Sequence, residues 1–160
     1  MRKLLHLSSR VRPMPLLGFL LLFALGTTPL GAASSKEAAV EIRAVMDAQQ
    51  AAWNRRDLEG FMQGYARSGK TVFVSGDTVT RGWQTVLDRY KKKYANADQM
   101  GQLRFSDVEV TLLSADAAVV LGRWELKRKD DKPQGRFTLI FRRLPEGWRI
   151  IHDHTSAATP

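Results

Sequence analysis

The stretch that decides the fold is GRFTLIFRRLPEGWRIIHDHTS, residues 135–156. It contains two long segments rich in β-branched and aromatic residues, Gly135 to Leu144 and Trp148 to Ser156, joined by the turn 145–147. The same pattern extends toward the N-terminus in two further segments joined by short polar turns, residues 103–113 and 117–127. Four consecutive long strands connected in this way predict an antiparallel meander.

The N-terminal part of the chain predicts helices instead. Residues Lys36 to Arg55 carry apolar side chains at three- and four-residue spacing, which indicates an amphipathic helix. Asp57 is expected to cap a second, short helix that runs through Tyr65, and a third helix is expected from Trp83 to Tyr94. Two short strands are predicted between these helices, at residues 71–75 and 78–80. Helices followed by strands predict an α+β fold, with the helices packed on one face of a curved sheet around a hollow suited to a small ligand.

The first 33 residues have the composition of a secretory signal. A basic start is followed by an apolar run of ten residues, 16–25, and then by the small residues Gly31, Ala32 and Ala33. A membrane-spanning helix needs about 20 apolar residues, so we predict cleavage before Ser34 rather than retention as an anchor. The expected product is a single domain, residues 34–157, located in the periplasm or secreted and no longer associated with the membrane.

Charge and cysteine content exclude several classes of function. The whole chain has a net charge of +9, but four basic residues lie in the predicted signal, which leaves 21 Lys and Arg against 16 Asp and Glu. This modest surplus does not indicate a nucleic-acid-binding protein. The chain has no Cys, so it has neither a disulfide framework nor a thiol nucleophile. Because it also has no Gly-rich phosphate loop, we predict no cofactor.

Several short segments of the chain are characteristic of one known superfamily. They are AWNRRD at 52–57, TRG at 80–82, GRW at 122–124, GRFT at 135–138 and GWRIIHDHTS at 147–156. In these segments, and over residues 36 to 157 as a whole, the chain resembles nuclear-transport-factor-2-like proteins, in their SnoaL-like and ketosteroid-isomerase-like branch. The resemblance implies a cone-shaped fold, but it does not imply one activity, because the superfamily includes isomerases, dehydratases and oligomerising hubs. The ending also resembles the hub domain of calmodulin-dependent kinases.

The final strand holds the candidate catalytic residues His152, Asp153 and His154. Strict alternation puts the two histidines on one face with Trp148 and Ile150, and puts Asp153 on the other face with Ile151 and Thr155. In the kinase hub, the position that matches Thr155 belongs to the ligand pocket, so the resemblance favours the face of Asp153. An inward carboxylate would have a raised pKa and would suit proton abstraction, as in the superfamily's isomerases and dehydratases. The alternatives are a histidine base or a purely structural role for all three residues.

The two histidines do not make a convincing metal site. Imidazoles at positions i and i+2 of a strand converge on one face, but a metal site needs a third ligand. The remaining histidine, His6, lies in the predicted signal. We therefore predict no metal, and expect His152 and His154 to take part in hydrogen bonds or dimer contacts.

Four large aromatic residues and Thr155 are the candidates for the wall of a ligand pocket. Trp53, Tyr65 and Trp83 have polar tips that could orient a ligand, and Tyr65 could act as an oxyanion donor as a tyrosine does in ketosteroid isomerases. Trp124 matches a pocket arginine of the kinase hub, a replacement that argues against a carboxylate ligand. The alternative for these aromatic residues is ordinary core packing.

These observations lead to three hypotheses about function. The first is an exported domain that binds a small apolar or aromatic ligand and has no established reaction. The second is a cofactor-free isomerase or lyase that uses Asp153 or a histidine as general base. The third is a dimeric interaction module. The sheet face left bare by the helices predicts a homodimer in all three cases.

Overall fold

A computed structural model describes residues 30–94 and 96–158 of the chain. The order of helices and strands agrees with the predicted α+β class. The elements are α1 (Leu30–Asn54), α2 (Leu58–Met62), β1 (Val72–Ser75), β2 (Thr78–Arg81), α3 (Trp83–Lys93), α4 (Ala97–Met100), β3 (Gln102–Ser114), β4 (Ala117–Lys127), β5 (Gln134–Leu144) and β6 (Gly147–Thr155).

The predicted signal falls mostly outside the described residues, which begin at Leu30. Helix α1 also begins at Leu30, before the predicted start at Lys36, and it continues through the expected cleavage site before Ser34. Within residues 30–94 and 96–158, no helix is both long enough and apolar enough to cross a membrane.

The strands form one six-stranded sheet in the order β2-β1-β6-β5-β4-β3. The predicted antiparallel meander of β3 to β6 is confirmed. The sheet is nevertheless mixed, because β1 pairs in parallel with β6, from Val72 opposite His152 to Ser75 opposite Thr155. This parallel pairing places the first strand of the chain against the last one, beside the candidate site.

The core lies between the helices and one face of the sheet. Ile42 of α1 and Met62 of α2 are fully buried, as are Val120 and Phe141 of the sheet. Each such side chain contributes roughly 1.5–3 kcal/mol by leaving water. The short helix α2 is fixed by its predicted cap, since the Asp57 carboxylate accepts a hydrogen bond of 2.7 Å from the Gly60 amide. The helices therefore cover the interior face of the sheet, and the space between them and the sheet is enclosed.

A β-bulge in the last strand corrects the predicted alternation of its side chains. The register passes from Phe141 opposite Ile150 directly to Ile140 opposite His152, so Ile151 is an extra residue without a partner. An extra residue inverts the faces of everything after it. Asp153 consequently lies on the buried face together with Ile150, and the expectation that His152 shares a face with Ile150 is wrong.

Candidate functional site

A cavity of about 170 Å³ lies between the helices and the interior face of the sheet. Most of its lining residues are buried, whereas Lys93, Ser156 and Ala157 are exposed and mark its opening to solvent, the mouth of the cavity. Of the eight predicted site residues, five line this cavity: Trp53, Tyr65, Trp124, Asp153 and Thr155. The structure thus brings together residues from α1, from the segment after α2, and from strands β4 and β6.

Asp153 is the acidic group of the cavity, and it is only 4% exposed. The Tyr65 hydroxyl donates a hydrogen bond of 2.7 Å to its Oδ2 atom. The Thr155 hydroxyl donates one of 2.6 Å to its Oδ1 atom. Burial raises the pKa of Asp153 from 3.8 to about 6, although the hydroxyl bonds from Thr155 and Tyr65 and the charge of His154 act in the opposite direction. Desolvation therefore outweighs the hydrogen bonds, and the carboxylate is an unusually strong base for its type.

Two tyrosine hydroxyls lie beside the carboxylate. Burial raises the pKa of both Tyr65 and Tyr90 well above 10, and the nearby negative charge of Asp153 raises both further. Both phenols consequently keep their protons at neutral pH and can act as hydrogen-bond donors. Each phenol also affects the pKa of the other, so Asp153, Tyr65 and Tyr90 lie close together in the lining of the cavity.

The indole N–H groups of the two cavity tryptophans are already used by the backbone. Trp53 donates to the carbonyl oxygen of Met100 at 3.3 Å, and Trp124 donates to that of Ser156 at 3.0 Å. The Trp53 ring also packs edge-to-face against Tyr94, with 4.8 Å between the ring centroids. Both tryptophans therefore offer apolar surfaces to a ligand, as expected for Trp124, whereas the indole N–H of Trp53 is not free to orient one.

Two glycines make room for this arrangement. A Cβ atom at Gly122 would collide with the Phe137 ring, which lines the cavity from the neighbouring strand. A Cβ atom at Gly135 would collide with the carbonyl oxygen of Ser156. That carbonyl belongs to the C-terminal segment, which lies along β5 and forms part of the cavity mouth. Two of the four glycines in the quoted family segments, Gly122 and Gly135, thus have a steric role at the site.

Three predicted site residues lie elsewhere. Trp83 is buried outside the cavity, where its indole N–H donates to the Met62 carbonyl at 2.8 Å and the Arg67 guanidinium lies 4.7 Å above its ring. Trp83 is on nearly the same side of α3 as Tyr90, but it lies two turns away at the N-terminal end of the helix, beyond the residues that line the cavity. His152 and His154 lie on the outer face of the sheet because of the bulge at Ile151. Among the described residues, no three His, Asp or Glu side chains are grouped so that they could hold a metal ion.

Sequence reasoning missed the contribution of α3 to the site. Arg89, Tyr90, Lys93 and Tyr94 all line the cavity. The available signal was their spacing, because residues 89 and 93, and also 90 and 94, are one helical turn apart and share a face. Tyr90 lies at helical spacing from Val86 and Leu87 on the apolar side of α3, but the sequence of one helix does not show whether that side meets a core or a cavity.

Comparisons with known proteins agree with this fold. Residues 42–160 match the SnoaL-like domain family. Among solved structures, an NTF2-like protein of unknown function from Shewanella oneidensis is 37% identical, with a TM-score of 0.70 over 76% of this chain and 98% of that one. A ketosteroid isomerase-like protein from Erwinia carotovora atroseptica is 21% identical, with a TM-score of 0.61 over 76% of this chain and 96% of that one. The second likeness shows the fold alone. No curated protein matches the chain.

Proposed function

The chain belongs to the SnoaL-like domain family, and on that premise we propose that its cavity binds a small, largely apolar ligand and that Asp153 exchanges a proton with this ligand. The observation that carries the proposal is a buried carboxylate facing an open cavity. Asp153 has hydroxyl donors but no ion-pair partner among the described residues. A carboxylate in such surroundings has a raised proton affinity, as a general base requires.

The pKa of about 6 suits this role at neutral pH. At pH 7 a group with that pKa is ionised in about nine molecules of ten, so most of the protein holds the basic form. The carboxylate can remove a proton from a carbon next to a carbonyl group and return it elsewhere on the ligand, which is an isomerisation. If a leaving group departs instead, the reaction is an elimination. Tyr90 is the donor that would stabilise the negative charge on the carbonyl oxygen, because the single hydroxyl proton of Tyr65 is already donated to Asp153.

The size and lining of the cavity indicate the class of ligand. A cavity of about 150 Å³ lined by apolar side chains can hold one benzene molecule, and this cavity measures about 170 Å³. Rings of Trp53, Phe61, Phe105 and Phe137 supply the apolar walls. A compound with one ring and one or two polar atoms fits these surroundings, and this feature favours ligand binding over a purely structural module.

The test is a thermal-shift screen of small cyclic ketones, enols and aromatic acids, followed by solvent-deuterium exchange on the compounds that stabilise the protein. We expect at least one such compound to acquire deuterium next to its carbonyl group with the wild-type protein and not with Asp153→Asn. His152→Ala is the matched control, since this neighbour lies on the outer face and its removal should leave exchange intact. The proposal fails if no compound stabilises the protein, or if Asp153→Asn exchanges as fast as wild type.

We also propose that the protein is exported and acts as a homodimer. Removal of the signal is tested by N-terminal sequencing of the mature protein, which we expect to begin at Ser34. The outer face of the sheet carries the cross-strand row Val119, Ile140 and His152, and beside it Leu121 is 42% exposed. Sedimentation should detect a dimer that Leu121→Glu dissociates, whereas a monomeric wild-type protein would refute this part.

A further inference from the structure

The mouth of the cavity carries two positive charges that the proton-transfer proposal does not use. Arg89 and Lys93 both line the cavity, and they are one turn apart on α3. Lys93 is exposed and Arg89 is half-buried, whereas Asp153 lies among the buried inner residues. The cavity therefore has a cationic outer end, an aromatic middle and a carboxylate at its inner wall.

Both cations are held in place by residues that surround the cavity. The Arg89 guanidinium donates to the Thr80 hydroxyl at 2.9 Å and lies 5.5 Å from the centroid of the Phe73 ring. The Lys93 ammonium lies 5.3 Å from the centroid of the Tyr94 ring. One hydrogen bond leaves most of the guanidinium N–H groups of Arg89 free to bind a ligand. The site is thus preorganised to receive an anion rather than formed by freely rotating surface chains.

Among the side chains that the structure describes, no carboxylate forms an ion pair with Arg89 or Lys93. Asp88, the acidic residue of α3, accepts a hydrogen bond from Gln84 instead. Burial and the positive charges of Arg89 and Arg128 lower the pKa of Lys93. Positive charges that are grouped, partly desolvated and unneutralised gain most from an anionic ligand.

Resting on the proposed function, we infer that the ligand is a small organic acid whose carboxylate binds Arg89 and Lys93 at the mouth while its ring enters the aromatic interior toward Asp153. The planar guanidinium can bind both carboxylate oxygens at once, and lysine adds a point charge. This orientation keeps the ligand's own negative charge away from Asp153. The expectation drawn from Trp124 argued against a carboxylate ligand, but α3 supplies the cavity-lining cations that the Trp124 position of β4 does not.

The test compares benzoate with benzamide, its neutral isostere, by calorimetry on the purified protein. We expect benzoate to bind about tenfold more tightly, as two partly exposed ion pairs allow, and added salt to weaken benzoate alone. Arg89→Gln and Lys93→Gln should each remove several-fold of the preference, and Arg89→Lys should restore part of it. Lys92→Gln is the matched control, because Lys92 lies on the same helix, carries the same charge and does not line the cavity.

The possible results separate this inference from the proposed function. The inference of an anionic ligand would be overturned if benzoate and benzamide bind equally, or if the preference for benzoate survives in both Arg89→Gln and Lys93→Gln. Either result would leave the proposed roles of the cavity and of Asp153 unaffected. If neither compound binds and no ketone stabilises the protein, both ideas fail. Melting curves of each variant show whether lost binding reflects lost folding, and the Arg89→Lys variant keeps the inference testable if Arg89→Gln does not fold.

Discussion

Replacing Asp153 with Asn should change how the stability of the protein depends on pH. Folding raises the pKa of this carboxyl from 3.8 to about 6, so the folded state binds its proton more tightly than the unfolded state does. The carboxyl therefore opposes folding once it is ionised. Its contribution is neutral at low pH, becomes unfavourable as the pH rises from about 4 to about 6, and stays unfavourable above that range.

The size of this effect follows from the pKa difference. Each pKa unit corresponds to about 1.4 kcal/mol, so ionisation of Asp153 destabilises the folded protein by about 3 kcal/mol at neutral pH. About 2.5 kcal/mol of this develops between pH 4 and pH 7.5. The Asn side chain has nearly the same shape and does not ionise. Any change in its hydrogen bonds to Tyr65 and Thr155 adds an offset that does not vary with pH.

Urea unfolding at several pH values, on the wild-type and Asp153→Asn proteins, measures this directly. We expect the unfolding free energy of the wild type to fall relative to the variant by about 2.5 kcal/mol from pH 4 to pH 7.5. Asp116→Asn is the matched control, since hydrogen bonding by Ser114 and the charge of Arg142 lower the pKa of this exposed carboxyl. Ionised Asp116 therefore stabilises the folded protein, and this stabilisation should be lost as the pH falls, which is opposite to the trend expected for Asp153. A constant difference between the wild type and Asp153→Asn would refute the reasoning.

Three further results are expected. Gly122→Ala should displace the Phe137 ring toward the cavity, because the new methyl group would collide with it. We expect urea unfolding to show a loss of roughly 1–3 kcal/mol and calorimetry to show weaker ligand binding, and unchanged affinity would contradict this. Trp83→Phe should lower stability by about 1 kcal/mol without changing ligand affinity, since this indole lies outside the cavity. Tyr65→Phe removes a hydrogen bond that lowers the pKa of Asp153, so carbon NMR of that carboxyl should show a higher midpoint than in the wild type.

Local sequence patterns were sufficient for α1, α2, α3 and the meander, but they did not predict the short helix α4. Alternating apolar residues bounded by short polar turns predicted β3 to β6, and the Asp57 cap predicted the start of α2. The parallel pairing of β1 with β6 could not be predicted in this way, because it joins segments far apart in the chain and no turn connects them. The hydrogen bond from Tyr65 to Asp153 likewise joins residues 88 positions apart, so no local pattern predicts it.

The bulge at Ile151 explains why the neighbours predicted for Asp153 on the last strand were partly wrong although the residue itself lies in the pocket. The resemblance of Thr155 to a pocket position correctly favoured Asp153 as a pocket residue. Strict alternation of side chains along the strand, however, grouped Asp153 with Ile151 instead of Ile150. One additional residue in the register moved Asp153 to the face of Ile150 and moved His152 to the outside. Such a bulge depends on the pairing of two strands, so the sequence of β6 alone does not reveal it.

The pH dependence of deuterium exchange into a bound ketone tests the central claim most directly. If Asp153 is the base, kcat/KM for exchange should rise with pH, because only the ionised carboxylate accepts a proton. It should reach half its maximum near pH 6, which is the pKa of Asp153 in the ligand-free protein. Asp153→Asn should show no such rise. Exchange that continues in Asp153→Asn, or that shows no inflection between pH 4 and pH 8 in the wild type, would contradict the assignment of Asp153 as the proton-transferring group.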